Sequence, residues 1–154
     1  MTQEAFEAEV TRLTESMYRM SFAMLPRYQD RQDAVQNAIL KAWQYKDRLR
    51  DESKFKSFLL KILTNECHTI RRKTRRELYV PIPEENIHFP DASLREAVSA
   101  LPEKLRVTVA LHYMEGASED DIAFILHIPK GTVKSRLNRA RMLLRRSLSE
   151  EVQS

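Results

Sequence analysis

The stretch that most restricts the fold is SEDDIAFILHIPKGTVKSRLNRARMLLRRSL, residues 118–148. Ser118 with Asp121 three residues later has the spacing of a capping box, in which hydroxyl and carboxylate each satisfy an orphan backbone N–H. Ile122, Ala123 and Leu126 then make one apolar face, and Ile128 closes a turn. Pro129 to Gly131 suits the start of a second helix, because proline loses nothing at a position whose N–H has no partner. From there Val133, Leu137, Ala140, Leu144 and Leu148 recur at three- and four-residue steps as one buried stripe. The remaining faces carry Lys130, Lys134, Arg136, Arg139, Arg141, Arg145 and Arg146, with no acid among them. A short helix, a turn and a basic amphipathic helix predict a helix-turn-helix.

A basic helix face is ordinarily just solvated, and helical hairpins are common. Two details favour DNA binding. Gly131 and Thr132 offer bare backbone N–H groups and a hydroxyl at a helix N-terminus, a natural seat for phosphate. Lys134, Ser135, Asn138 and Arg139 cluster on one exposed face and are types that hydrogen-bond base edges.

The other glycine is Gly116, placed as the C-terminal cap of the preceding helix, so no glycine-rich loop remains to cradle a nucleotide. With 42% hydrophobic residues in 154, the chain can build a core as one compact domain or two small ones. Its net charge of +4 is unevenly spread. Glu4, Glu7, Glu9 and Glu15 make the start acidic while the basic clusters come later, which suggests a nucleic-acid face and a separate protein-facing surface. Cys67 stands alone, which fits a reducing cytoplasm and leaves no zinc knuckle. No apolar run approaches membrane-spanning length and no signal-peptide pattern opens the chain.

Along the chain, Phe6, Val10, Leu13, Met17, Met20 and Met24 form a helical stripe over about 3–25, ended by Pro26. A methionine stripe can serve as an adaptable groove, but core packing is its ordinary use. A second helix spans about 30–45, with Val35, Ala38, Ile39, Ala42 and Trp43 inward and Asp33, Gln36, Asn37, Leu40 and Lys41 outward. The exposed Leu40 points to a partner surface. A charged connector covers 47–55. A third helix follows, with Phe55, Phe58, Leu59, Ile62, Leu63 and Ile70 inside and the run RRKTRR at 71–76 at its end. Five cations in six residues exceed what a helix dipole calls for, so a phosphate-backbone contact is expected there.

Residues 77–92 lose the helical period and carry Pro81, Pro83 and Pro90 with Glu84, Glu85 and Asp91, the composition of an extended acidic linker. In polyproline form it would span about 45–50 Å, enough to tether two readers to one DNA. Helices resume at about 93–100, and the next begins at Pro102 with Leu105, Val109 and Tyr113 inward. The expected fold is all-α. It has an N-terminal three-helix bundle (1–76), a proline-rich linker (77–92) and a C-terminal four-helix domain with a helix-turn-helix (93–150).

Catalysis is not indicated. His68, His88, His112 and His127 are scattered, and Cys67 and His68, adjacent on a helix, diverge by about 100° and cannot meet as nucleophile and base. Neither H-E-x-x-H nor G-x-S-x-G occurs, so no metal or other cofactor is expected.

The segments LPEKLRVTVALHYMEGASEDDIAFILHIPKGTVKSRLNRARMLL, DAVQNAILKAW and FKSFLLKILTNECHTIRRKTRR together resemble the extracytoplasmic-function sigma factors of bacterial RNA polymerase. The first resembles region 4, with LP…LR, EGxS, IPxGTVKSRL and RAR. The others resemble the two motif helices of region 2, in the family's order. This resemblance implies a cytoplasmic, nucleoid-associated protein that is not an enzyme and inserts in no membrane. It would bind the clamp helices and flap of core RNA polymerase and direct it to promoter DNA, under control of an anti-sigma factor. Lys130, Thr132, Lys134, Ser135, Asn138 and Arg139 would contact the −35 element as duplex. The 47–55 connector, through Arg50, Ser53 and Lys54, together with Lys61, Asn65, Arg71 and Arg72, would hold the melted −10 element. Asp33, Gln36, Asn37, Leu40 and Lys41 would dock on the clamp helices. The chain departs from the family at Asn37, usually Glu, and at Phe58, often Trp. His127 replaces the usual turn glycine, and Phe124 stands at a normally polar position.

Energetics require the polymerase. Opening about ten base pairs costs on the order of 14 kcal/mol, and stacking one base on a ring such as Tyr45 or Phe55 returns only about 1–3 kcal/mol. A stand-alone helix-turn-helix regulator would need a receiver or dimerisation element, and the N-terminal half reads helical without alternating strands. A helical interaction module without a DNA role would leave the basic helices unexplained.

Overall fold

A computed structural model describes residues 1–74 and 92–153, and its described residues form two compact units. The first is built on α1 (Gln3–Met24), α2 (Tyr28–Tyr45) and α3 (Phe55–Thr74). Thr2 caps α1 by accepting the Ala5 N–H at 3.1 Å. The helix stops where Leu25 turns extended (φ −124°, ψ 127°), the conformation that a following proline imposes. Met17, Met20 and Met24 are fully buried, so the methionine stripe is core. Small residues Ala34, Ala38 and Ala42 line the inner face of α2 and let its backbone approach α1 and α3 closely, over Leu59, Leu60, Leu63 and Cys67.

The inward assignments of Trp43, Ile39, Phe58, Ile62 and Ile70 need correction, Ile39 being only half-buried. Trp43 is 39% exposed: one helical step beyond Ala42, it leaves the small-residue face. Its ring meets that of Phe6 edge-to-face (5.1 Å between centroids) and carries the Lys46 ammonium at 4.2 Å. Phe58, Ile62 and Ile70 are half-buried, and Leu60, Thr64, Glu66 and Cys67 occupy the interior of α3 instead. Arg31 is buried without having been anticipated. Its guanidinium lies 4.6 Å from the centre of the Phe22 ring, and burial pulls its pKa down, with Tyr28 opposing.

The second unit contains α4 (Ala92–Ser99), α5 (Glu103–Val109), a π-turn (Ala110–Met114), most of α6 (Glu119–Leu126), and α7 (Lys130–Gln153). Its core joins Val98, Leu101, Leu105, Val109 and Ala140, flanked by Leu94, Leu143 and Leu144. Tyr113, expected inward, is 55% exposed. The π-turn is wider than 3.6 residues, so it rotates Tyr113 out of the stripe and puts Leu111 inside. Gly116 ends this segment with φ +69°, the left-handed cap assigned to it. The proline-rich stretch, Arg75, Arg76 and His88 lie outside the described residues, save that α4 already begins at Ala92.

Candidate nucleic-acid interface

The capping box at the head of α6 forms as its spacing requires. Asp121 N–H donates to Ser118 Oγ at 3.1 Å, and Ser118 N–H donates to Asp121 Oδ2 at 3.4 Å. On α6 the buried positions are Ile122 and Ile125, whereas Ala123 and Leu126, expected to share the apolar face, are only half-buried. His127 takes φ 55° at the turn, as the usual glycine would. The chain then re-enters helix, with Thr132 and Val133 N–H groups both donating to Pro129 O (3.0 and 3.2 Å).

Along α7, Val133, Leu137 and Ala140 are buried, so the sides between them are directed outward. Lys130, Gly131, Lys134, Ser135, Asn138 and Arg139 are all exposed, and Thr132 is half-buried. The structure therefore brings the six residues of the −35 group onto the first two and a half turns of one helix. Three of them are modified by neighbours. Lys130 Nζ pairs with Asp120 Oδ1 at 3.2 Å, an acid from the preceding helix that inspection of α7 alone did not show. Ser135 donates its hydroxyl to Gly131 O at 3.0 Å, so what it retains for a ligand is acceptor capacity. Asn138 Oδ1 accepts from Arg141 Nη1 at 3.2 Å.

In the first unit the −10 group is divided between the connector and α3. Two 3₁₀ turns, Lys46–Arg48 and Glu52–Lys54, order the connector. Arg50, Ser53 and Lys54 are exposed, but Ser53 is committed locally. Its hydroxyl (2.7 Å) and its N–H (3.0 Å) both donate to Asp51 Oδ1 and hold that carboxyl below its usual pKa. On α3, Asn65 and Arg72 are exposed while Lys61 and Arg71 are half-buried. Arg72 Nη2 reaches Thr69 Oγ1 at 3.4 Å.

The α2 face presents Asp33, Gln36, Asn37, Leu40 and Lys41, all exposed, with Leu40 at 63%. Gln29 donates to Asp33 Oδ1 at 3.2 Å. Lys41 is not simply solvated: its ammonium pairs with Glu66 of α3, a partner on another helix that α2's own periodicity could not reveal.

Residues 6–77 match the sigma-70 region 2 family and residues 91–144 match the sigma-70 region 4 family. The ECF RNA polymerase sigma-E factor of Escherichia coli (strain K12) is 30% identical over 162 residues, covering 90% of this chain and 84% of that protein. The ECF RNA polymerase sigma factor SigW of Bacillus subtilis (strain 168) is 27% identical, with 96% and 91% covered. Among solved structures, the sigma factor RpoE from Bartonella quintana, crystallised with the anti-sigma factor NepR, superposes with a TM-score of 0.80 at 26% identity, covering 95% of this chain and 98% of that one. With both sigma regions matched in order and an exposed cationic helix in the second unit, the chain belongs to the extracytoplasmic-function sigma factor family.

Proposed function

We propose that this chain is the promoter-specificity subunit of a bacterial RNA polymerase, and that its two units divide the address between them. Lys134, Ser135, Asn138 and Arg139 on α7 read the −35 element in the major groove, while Lys130, Thr132 and the first N–H groups of the helix hold phosphate. Arg50, Ser53, Lys54, Lys61, Asn65, Arg71 and Arg72 contact the −10 element once it is melted. The α2 face centred on Leu40 docks on the clamp helices of the core enzyme. The domains run 1–76 and 93–150 with 77–92 as tether, and an anti-sigma factor holds the protein in check. The protein itself catalyses nothing and works in the cytoplasm at the nucleoid; none of its described helices is long and apolar enough to cross a membrane.

The observation that carries this reading is the exposure of Lys134, Ser135, Asn138 and Arg139 together along a helix whose opposite stripe, Val133, Leu137 and Ala140, is fully buried. The side chains meant for the groove are those the core does not need. In vitro transcription with core RNA polymerase on fragmented genomic DNA tests it. The expected result is a defined set of start sites that appear only when the protein is added. Tight binding to a palindrome without polymerase would instead identify a stand-alone regulator.

A further inference from the structure

The side chains of Tyr113, Arg141 and Asn138 form a continuous chain from the π-turn to the recognition helix. Arg141 Nε donates to Tyr113 Oη at 2.7 Å, and Arg141 Nη1 donates to Asn138 Oδ1 at 3.2 Å. A guanidinium has five N–H donors and no acceptor, so only the carbonyl end of the Asn138 amide can face it. The amide orientation is therefore dictated by chemistry. The Tyr113 ring is itself braced, with the His112 ring edge-on at 4.7 Å. His112 Nδ1 lies 3.1 Å from Ala117 O, and because a carbonyl only accepts, that nitrogen carries the proton. Nothing in this chain is needed for the core, since Tyr113 and Asn138 are exposed.

We infer that Tyr113 and Arg141 are positioning residues that turn the Asn138 NH₂ toward the groove and make Asn138 a selector for a base edge presenting acceptors. This rests on Asn138 being a base contact. In the major groove guanine presents two acceptors, N7 and O6, while adenine presents the N7 acceptor beside the N6 donor. An unrestrained asparagine suits adenine, using its carbonyl and amide ends together. Here one of the carbonyl's two lone pairs already takes an N–H from a cation, so adenine N6–H could use only the other, and the amide is not free to turn toward it without straining that charge-assisted bond. The braced side chain favours guanine over adenine at the base pair it faces.

The test uses full-length protein assembled with core RNA polymerase on a promoter library randomised across the −35 element. Wild type is expected to prefer guanine over adenine by about fivefold or more at one position. Asn138→Ala should flatten that position alone. Tyr113→Phe removes only the hydroxyl that anchors Arg141 and should shift the same position toward adenine, with the other positions and the thermal unfolding midpoint unchanged. Arg141→Lys, whose single ammonium cannot span both partners, should do the same. If Asn138→Ala flattens a position but Tyr113→Phe and Arg141→Lys leave its guanine-to-adenine ratio as in wild type, or lower all positions equally, the inference is overturned. A wild-type preference for adenine there overturns it as well. If Asn138→Ala alters no position, the base-contact reading itself falls, a separately recognisable failure.

Discussion

The ammonium of Lys41 on α2 is paired with the carboxylate of Glu66 on α3, whose side chain is 9% exposed while that of Lys41 is half in solvent. A carboxylate so nearly buried is tolerable only with a partner, and here the partner comes from the face assigned to polymerase docking. Removing one member of a fully buried pair costs about 3–5 kcal/mol. The solvent around Lys41 screens the pair, so Lys41→Ala is expected to destabilise the protein by about 1–2 kcal/mol. Urea unfolding measures this directly. The double variant Lys41→Ala with Glu66→Gln should recover most of the loss, because the stranded charge is gone.

Leu40 lies one residue away and behaves differently. It supports nothing internal, so Leu40→Asp should leave unfolding within about 0.5 kcal/mol of wild type. The same change places a charge in the middle of the proposed docking face and should weaken association with core polymerase by about tenfold or more. Titration of labelled core enzyme separates the two effects, and equal losses in folding and binding would contradict this division of labour.

For Arg139, exposed on α7, truncation to alanine is expected to cost about 1–3 kcal/mol at the base pair it contacts and to relax choice there. Lys130→Ala should instead weaken holoenzyme binding uniformly across promoter variants, and only mildly, because Asp120 already offsets part of its charge. Binding measured against salt concentration completes the distinction: losing a phosphate contact lowers the salt slope, by about 1.

The turn residue His127 adopts φ 55°, where glycine suffers no steric penalty. His127→Gly relieves a left-handed strain of about 1–2 kcal/mol and adds unfolded-state freedom worth about 0.4–1 kcal/mol. The net expectation is a gain of between about zero and 1.6 kcal/mol, while the β-branched His127→Val should be clearly destabilising. Thermal unfolding of the three proteins ranks them.

The Asp51 cap yields an expected pH dependence. Its folded-state pKa is lowered by the Ser53 hydrogen bonds, so its stabilising contribution is complete above the unfolded value, near 3.8, and is lost as pH falls through the lower folded value. The stability difference between wild type and Asp51→Ala should stay constant from about pH 5 to 8 and close under more acid conditions. A difference that persisted at the acid end would exclude the cap as its source.

Much of the architecture was legible because its determinants are local. The Gln3–Met24 helix with its stop before Pro26, the Ser118–Asp121 box, the Gly116 cap and the stripe from Val133 to Ala140 each depend on residues within a turn or two of one another. The exposure of five of the six −35 residues followed from that same stripe, Thr132 being half-buried. Periodicity misplaced Trp43 and Tyr113, the first by one helical step and the second because a π-turn breaks the 3.6-residue period without any mark in composition.

The amino-acid order by itself determined that this protein is helical, where the capped helix ends at Thr2, Ser118 and Gly116 fall, and which side of α7 is cationic, since helix period and capping act over a few residues. Tertiary structure alone decided what those side chains are free to do. Glu66 claims Lys41 across 25 positions, Asp120 claims Lys130 across ten, and Arg141, bonded to Asn138, reaches Tyr113 across 28 positions of chain. Such partners meet only after packing has brought distant helices together, and no local rule of spacing records which of them will meet.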